Sequence, residues 1–277
     1  MDTLAQKTLE EKYIIELINI SKKFSTNNGG ELKVIDNLTM RFKEGSISVI
    51  IGPSGCGKST ILNMIAGIID VDEGKILVNG IDIQRDPSYK KSIGIGYVFQ
   101  QPRLLDWRTL RENVIFALKA TGTIPKEKWN EIAEYYLKLV GLEGFLDYYP
   151  LQVSGGMQQR AAIARAFSIN PRILLMDEPF SHLDEITAET LRNELIKIWT
   201  MEGKHKTIVF VTHDLREAVY LADEIFMLTP CPGRLFKHYV VDIPHESRSV
   251  ELEELFKIFR CISRDFHRMI KDGANQF

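Results

Sequence analysis

Long hydrophobic runs are missing from this 277-residue chain: its apolar stretches are short and interrupted, so no segment is expected to cross a membrane as a helix. Cysteine is scarce. Cys56, Cys231 and Cys261 form no CxxC pair or other zinc spacing, which argues against a zinc module and suits a reducing compartment. Neither sign of charge dominates. With 35 Lys and Arg against 37 Asp and Glu, the net charge of −2 argues against a general polyanion-binding surface, and so against nucleic acid as a partner. The first residues, MDTLAQKTLEEKYIIEL, lack a basic region followed by an apolar one, so no secretory signal is expected. Internal repeats and low-complexity tracts are also lacking. What remains, at 44% hydrophobic and 26% charged residues, is the composition of a single large globular domain or a core with a subdomain.

Within that frame, short β-branched or apolar runs stand out at ISVII (47–51), ILLM (173–176), TIVFV (207–211) and EIFML (224–228). Each is continuous rather than alternating, as strands buried on both faces of a parallel sheet should be. Between them lie helical patterns, including KSTILNMIAGI, QQRAAIARAF, AETLRNELIKIW and REAVYLA. Strands alternating with helices imply an α/β class with crossover connections. YIIELINISKKF, LKVIDNLTMRF and KILVNGIDI alternate apolar and polar residues and read as a small antiparallel sheet. From about Gln100 to Ala166 the pattern is mostly helical, as in RENVIFALKA and KEKWNEIAEYYLKLVGL, which suggests an inserted helical subdomain. The C-terminal VELEELFKIFRCISRDFHRMI places Leu252, Leu255, Phe256, Phe259, Ile262, Phe266 and Met269 at three- and four-residue steps. It is read as an amphipathic helix packed on its own domain, with acidic and basic residues sharing the polar face and no basic cluster.

The chemistry is concentrated at strand ends. GPSGCGKST, comprising Gly52, Pro53, Ser54, Gly55, Cys56, Gly57, Lys58, Ser59 and Thr60, follows ISVII directly and fits G-x-x-x-x-G-K-[ST]. Glycines let such a loop fold around phosphate oxygens, Lys58 can reach the β and γ phosphates, and the Ser59 hydroxyl can ligate Mg²⁺. ILLMDEP ends a buried strand in two carboxylates, which repel one another and call for a cation. Asp177 fits the Mg²⁺ position, and Glu178, pointing differently, can polarise an attacking water. TIVFV runs into THD, so His213 lies beyond the same sheet edge, where open α/β sheets bind ligands. YVFQQ supplies Gln100, whose amide offers an acceptor to a metal and a donor to water; a plain surface role is equally open on the residues alone. VSGGMQQR is a second helix start shaped for an anion, with Ser154, Gly155 and Gly156 ahead of Met157. One nucleotide-binding domain needs only one such site.

In order along the chain, GPSGCGKST, YVFQQ, VSGGMQQR, ILLMDEP, SHLD and TIVFVTHD resemble the motifs of an ATP-binding cassette ATPase. The resemblance runs from the strand containing Tyr13 to about Ile243. It implies a RecA-like P-loop core with a small antiparallel β region (13–99 and 167–245), an inserted α-helical subdomain (100–166) and, beyond the cassette, the C-terminal helix (246–277). It implies ATP and Mg²⁺ as cofactors, Phe24 stacking on adenine, Gln100 linking the Mg²⁺ site to the helical subdomain, Glu178 as general base and His213 as the γ-phosphate sensor. Two copies would sandwich ATP head to tail, with Ser154, Gly155, Gly156, Met157 and Asp184 contacting the nucleotide of the partner chain.

QQPRLLDWRTLRENV and PCPGRLF further resemble importers of the nitrate, sulfonate and taurine group, although Asp106 and Cys231 stand where proline and arginine are usual. His182 replaces a small residue in SHLD, and Met157 stands where many relatives carry glutamine. The group implies integral-membrane permease subunits as partners, an extracytoplasmic solute-binding protein acting indirectly, and a cytoplasmic location on the inner face of the membrane. Two other classes fit less well. A soluble cassette of DNA repair or translation usually carries coiled coils, zinc modules or a second cassette, which this sequence lacks. A kinase or GTPase would leave VSGGM without a role, and no NKxD-type guanine motif is present.

Overall fold

A computed structural model of the chain describes residues 12–26, 29–86, 94–181, 183–201, 206–248 and 252–274. His182 lies outside the described residues, so its departure from the motif receives no structural account. The element order is β1 (Tyr13–Ser25), β2 (Glu31–Lys43), β3 (Ile47–Ile51), α1 (Lys58–Ile65), β4 (Glu73–Val78), β5 (Ile81–Asp82) and β6 (Ile95–Val98). Then follow α2 (Leu110–Thr121), α3 (Trp129–Leu139), α4 (Gly155–Ser168), β7 (Ile173–Asp177), α5 (Glu185–Met201) and β8 (Thr207–Thr212). The chain continues through α6 (Leu215–Leu221), β9 (Glu224–Leu228) and β10 (Leu235–Val240) to α7 (Glu253–Ala274).

The strands form two sheets. The first is four-stranded and antiparallel, in the order β2-β1-β4-β5. The second is six-stranded, in the order β10-β9-β3-β8-β7-β6, and parallel except for the antiparallel edge strand β10. Its central strands were legible because both faces are covered. Val49, Ile51, Leu174, Met176, Ile208, Phe210 and Met227 face the core formed with α2 to α7. Ile50, Leu175, Val209, Val211 and Leu228 face the opposite core, shared with α1 and the antiparallel sheet. Each such side chain contributes about 1.5–3 kcal/mol on burial, and together they fix the register that brings three loop-bearing strand ends to one edge.

Two strands were absent from the sequence reading. β6 is a short edge strand containing Gly96, and β10 is largely exposed, so neither presents a continuous apolar run. The helical segment also differs in detail: Pro125 is followed by a single 3₁₀ turn, Lys126–Lys128, before α3 begins.

α2, α3 and α4 pack on one another, burying Leu110, Val114, Leu118, Ala133, Leu137 and Ala161. α2 opens with a capping box in which the Glu112 amide donates to the Thr109 hydroxyl at 3.2 Å and the Thr109 amide to the Glu112 carboxylate at 2.9 Å. Arg111 ties the group together through Asp147 and Glu134. α7 buries Leu255, Ile262 and Met269 in the core containing α6, and its Asp265 accepts from Lys237 (2.6 Å) and Tyr239 (2.9 Å) of β10. On its solvent side acidic and basic residues share the polar face as expected, with Lys257 paired to Glu253 (2.9 Å) and Arg268 to Asp272 (3.7 Å), four residues apart on one helix face.

Candidate functional site

The loop Gly52–Thr60 joins β3 to α1 and is shaped by its glycines. Gly57, the residue before α1, holds φ at +96°, and a Cβ there would lie 2.5 Å from Ile35 Cδ1. A Cβ on Gly52 would lie 2.6 Å from the Cys56 sulfur. From behind, Gly233 of the PCPGR stretch presses so close that its Cβ would sit 2.2 Å from the Cys56 carbonyl oxygen. Cys56 is buried in this packing, which pushes its thiol pKa up. Ser54, Gly55 and Ser59 remain exposed, and α1 starts without a side-chain cap, leaving the first helical amides to face a ligand. The Lys58 side chain, only 6% exposed, folds back to donate to the carbonyls of Gly52 at 2.8 Å and Pro53 at 3.1 Å.

Across the loop stands the end of β7. The Ser59 hydroxyl donates to Asp177 at 2.9 Å. Asp177 is 7% exposed, and burial raises its carboxyl pKa, opposed by the Ser59 hydrogen bond and reinforced by the neighbouring charge of Glu178. Glu178 sits just past the strand with φ at +43°, a left-handed conformation, and its amide donates to the Val211 carbonyl at 3.0 Å. That kink turns the Glu178 side chain away from Asp177. Its Oε2 lies 3.0 Å from His213 Nδ1 and accepts from the Gln100 amide at 3.4 Å.

A cavity of about 390 Å³ results, lined by Val34, the phosphate loop from Ser54 to Thr60 (except the buried Cys56), Gln100, Glu178 and His213. Of the expected residues, the structure brings together the loop, Gln100, Asp177, Glu178 and His213. Phe24 is not in the lining: it lies half-exposed at the end of β1, opposite Leu32 of β2, with Lys22 Nζ 5.6 Å from its ring centroid. Val34, further along β2, was missed because one valine in an alternating strand carries no signal of its own.

The second helix start is outside the cavity. Ser154 caps α4, its hydroxyl accepting from the Met157 amide at 3.2 Å. Ser154 and Gly155 are exposed, and a Cβ on Gly155 would meet nothing within 4 Å. Asp184 is exposed as well and caps the start of α5, accepting from the Thr187 amide (3.0 Å) and hydroxyl (2.7 Å), which hold its carboxyl below its ordinary pKa.

A family model described as ABC transporter matches residues 35–181. The chain is 44% identical over 266 residues to an ABC transporter ATP-binding protein of Methanocaldococcus jannaschii, covering 95% of this chain and 96% of that one. This chain belongs to the ABC transporter family. It is 38% identical to an aliphatic sulfonates import ATP-binding protein, SsuB, of Bacillus cereus (90% of this chain, 94% of the relative). With the taurine import ATP-binding protein TauB of a Jannaschia species it shares 36% identity, over 86% of each chain. A solved dimeric structure of the ATP-binding cassette MJ0796, in a post-hydrolysis state bound to ADP and Pi, superposes with a TM-score of 0.75 at 34% identity. That match covers 83% of this chain and 100% of the other. The protein is therefore an ABC transporter ATPase subunit with a RecA-like P-loop fold, and among the described residues no helix is long and apolar enough to cross a membrane.

In this ABC ATPase, α4 also reaches the loop that carries Gln100. The Gln159 amide donates to the Phe99 carbonyl at 3.3 Å, and Arg165 donates to the carbonyls of Pro102 (2.9 Å) and Arg103 (2.8 Å). One helix thus begins at Ser154 and grips the backbone on either side of Gln100. Beyond that loop, Trp107 is 73% exposed on a turn fixed by the buried Asn113, which donates to three carbonyls and accepts from the Leu105 amide at 2.7 Å. These supporting contacts were not readable in sequence, because amide and guanidinium side chains on helices look like solvated surface until the fold supplies their acceptors.

Proposed function

We propose that the protein hydrolyses Mg·ATP between two copies of itself and so energises uptake of a small solute through a separate permease. The observation that carries this reading is the division of parts. The phosphate loop, Asp177, Glu178 and His213 converge at the carboxyl ends of β3, β7 and β8, while the Ser154 helix start lies outside that cavity, open to a second molecule.

Each ATP would lie with its phosphates on the amides of the Gly52–Thr60 loop, and Lys58 would turn from the Gly52 and Pro53 carbonyls to the β and γ phosphates. Asp177 and Ser59 suit Mg²⁺: they form a hard oxygen donor set, and a buried carboxylate whose pKa is raised by desolvation gains from a divalent cation. Gln100 would complete the set, and when bound the ion neutralises β- and γ-phosphate charge. Glu178 is the general base that orients water at the γ-phosphate, and His213, in contact with its carboxylate, meets the departing phosphate. Phe24 supplies an aromatic face for the adenine. Across the dimer, the Ser154 hydroxyl, the amides of Gly155 and Gly156, the Met157 start of α4 and the Asp184 loop close on the partner's nucleotide. Trans-acting donors contribute about 10³- to 10⁵-fold in other nucleotide hydrolases.

The grip of α4 on the Gln100 loop supports a path from the nucleotide to the surface around Trp107, which faces the permease. The protein then sits in the cytoplasm against the inner face of the membrane. Its relatedness to sulfonate and taurine importers favours a small anionic or zwitterionic solute of the nitrate, sulfonate or taurine kind, delivered by an extracytoplasmic binding protein.

Glu178→Gln tests the assignment. The variant should bind Mg·ATP, accumulate as a dimer by size exclusion and lose turnover by ~100-fold or more. Normal turnover in Glu178→Gln would remove Glu178 from the general-base role.

A further inference from the structure

The turn that carries His213 is hydrogen-bonded to side chains outside the lining of the nucleotide cavity. Thr212, at the end of β8, and Asp214 flank it. The Thr212 hydroxyl accepts from the Asp214 amide at 3.0 Å and donates to Glu217 Oε2 at 2.6 Å. Glu217 lies on α6, and its other oxygen accepts from Arg192 of α5 at 3.3 Å. The same guanidinium donates to Glu185 at 2.7 Å, through its second nitrogen. Glu185 is the first residue of α5 and follows Asp184 directly. Arg192 and Glu217 are both buried, at 9% and 8% exposure, so that pair is not solvent-screened, whereas the Glu185 side chain at the other end of the bridge is 79% exposed.

We infer that Arg192 is a positioning residue, bridging Glu185 and Glu217 so that the Asp184 loop and the turn holding His213 keep one fixed separation. The planar guanidinium fork is suited to this, because its two terminal nitrogens each take one carboxylate in a fixed plane, whereas an ammonium has one nitrogen on a shorter reach. Burial raises the pKa of Glu217, and the Thr212 hydrogen bond and then the Arg192 charge oppose that rise. The consequence is directional. When the Asp184 loop is displaced by a second copy at the nucleotide, Arg192 carries that displacement to Glu217, Thr212 and the His213 backbone. The contact between His213 and Glu178, 3.0 Å in the present state, then depends on engagement of the partner. The inference rests on the proposed reading that His213 serves hydrolysis and that the Asp184 loop faces the partner.

The test uses full-length Arg192→Met, Arg192→Lys, His213→Ala and the Arg192→Met/His213→Ala double variant. ATP turnover and ATP affinity are measured for each, and the His213 ring signals are followed by NMR on histidine-labelled protein. Arg192→Met should move the His213 ring signals and lower kcat by ~10- to 100-fold with ATP affinity retained, the scale expected for about 1 Å of misplacement. Arg192→Lys keeps the charge but loses the two-nitrogen fork, so its ring shift and kcat loss should be smaller than those of Arg192→Met. The double variant should be no slower than His213→Ala alone, since Arg192 acts through His213. Unmoved His213 signals in Arg192→Met, or losses that multiply in the double variant, would overturn the inference. Normal turnover in His213→Ala would contradict the catalytic reading of His213 instead, and the ring signals would still decide the positioning claim.

Discussion

Asp177 and Glu178 are neighbours in sequence with opposite environments. Asp177 ends a buried strand with one hydroxyl for company; Glu178 is swung by its positive φ into contact with His213 and Gln100. Because burial raises the Asp177 pKa above its unfolded value, the folded state binds that proton more tightly than the unfolded chain does. This contribution to stability is therefore lost as pH rises from the ordinary carboxylate value to the folded pKa of Asp177, is lost in full above it, and is regained on acidification. Asp177→Asn, which still accepts from Ser59, should melt higher than the wild type at neutral pH without nucleotide. The gap should close on acidification, and Mg²⁺-dependent turnover should be lost. Calorimetry across pH checks the sign; a lower melting temperature for Asp177→Asn at neutral pH would contradict it. The polar residues that meet around the cavity were legible in the sequence because phosphate and metal chemistry would demand particular residue types at strand ends. Arg192, Thr212 and Glu217 were not, since their partnership exists only when α5, β8 and α6 meet.

At the scale of elements, legibility followed burial. β3, β7, β8 and β9 are covered on both faces and read as unbroken apolar runs. β6 and β10 lie at the two edges of the same sheet, where one neighbour suffices and composition is less constrained. α7 read correctly as amphipathic, with Ile262 fully buried at its centre. Its polar face mixes both signs, as the sequence suggested, with Lys257 and Arg268 paired to acids four residues away. Ile262→Ala should destabilise the protein by about 2–4 kcal/mol through lost burial and a residual cavity, read as a shift in urea midpoint at unchanged slope. A shift worth under about 1 kcal/mol would mean that α7 is not part of the folded core.

For the whole molecule, the phosphate loop and the Ser154 helix start are each complete as local structure and do not meet in one chain. Two copies arranged head to tail resolve this, since each would lend its α4 start to the other's cavity; the dimeric form of the related cassette supports the arrangement. In the proposed pair, the links within each copy, α4 to the Gln100 loop and Arg192 to the His213 turn, would connect closure to the cavity. The most direct measurement mixes two inactive proteins, Lys58→Ala and Ser154→Arg. Each alone carries two defective sites if sites are shared. A mixed dimer gathers both defects into one site and leaves the other intact, so the account predicts ATP turnover well above either parent. Turnover no higher than that of the parents would mean that each chain completes its own site, and would contradict the shared-site account.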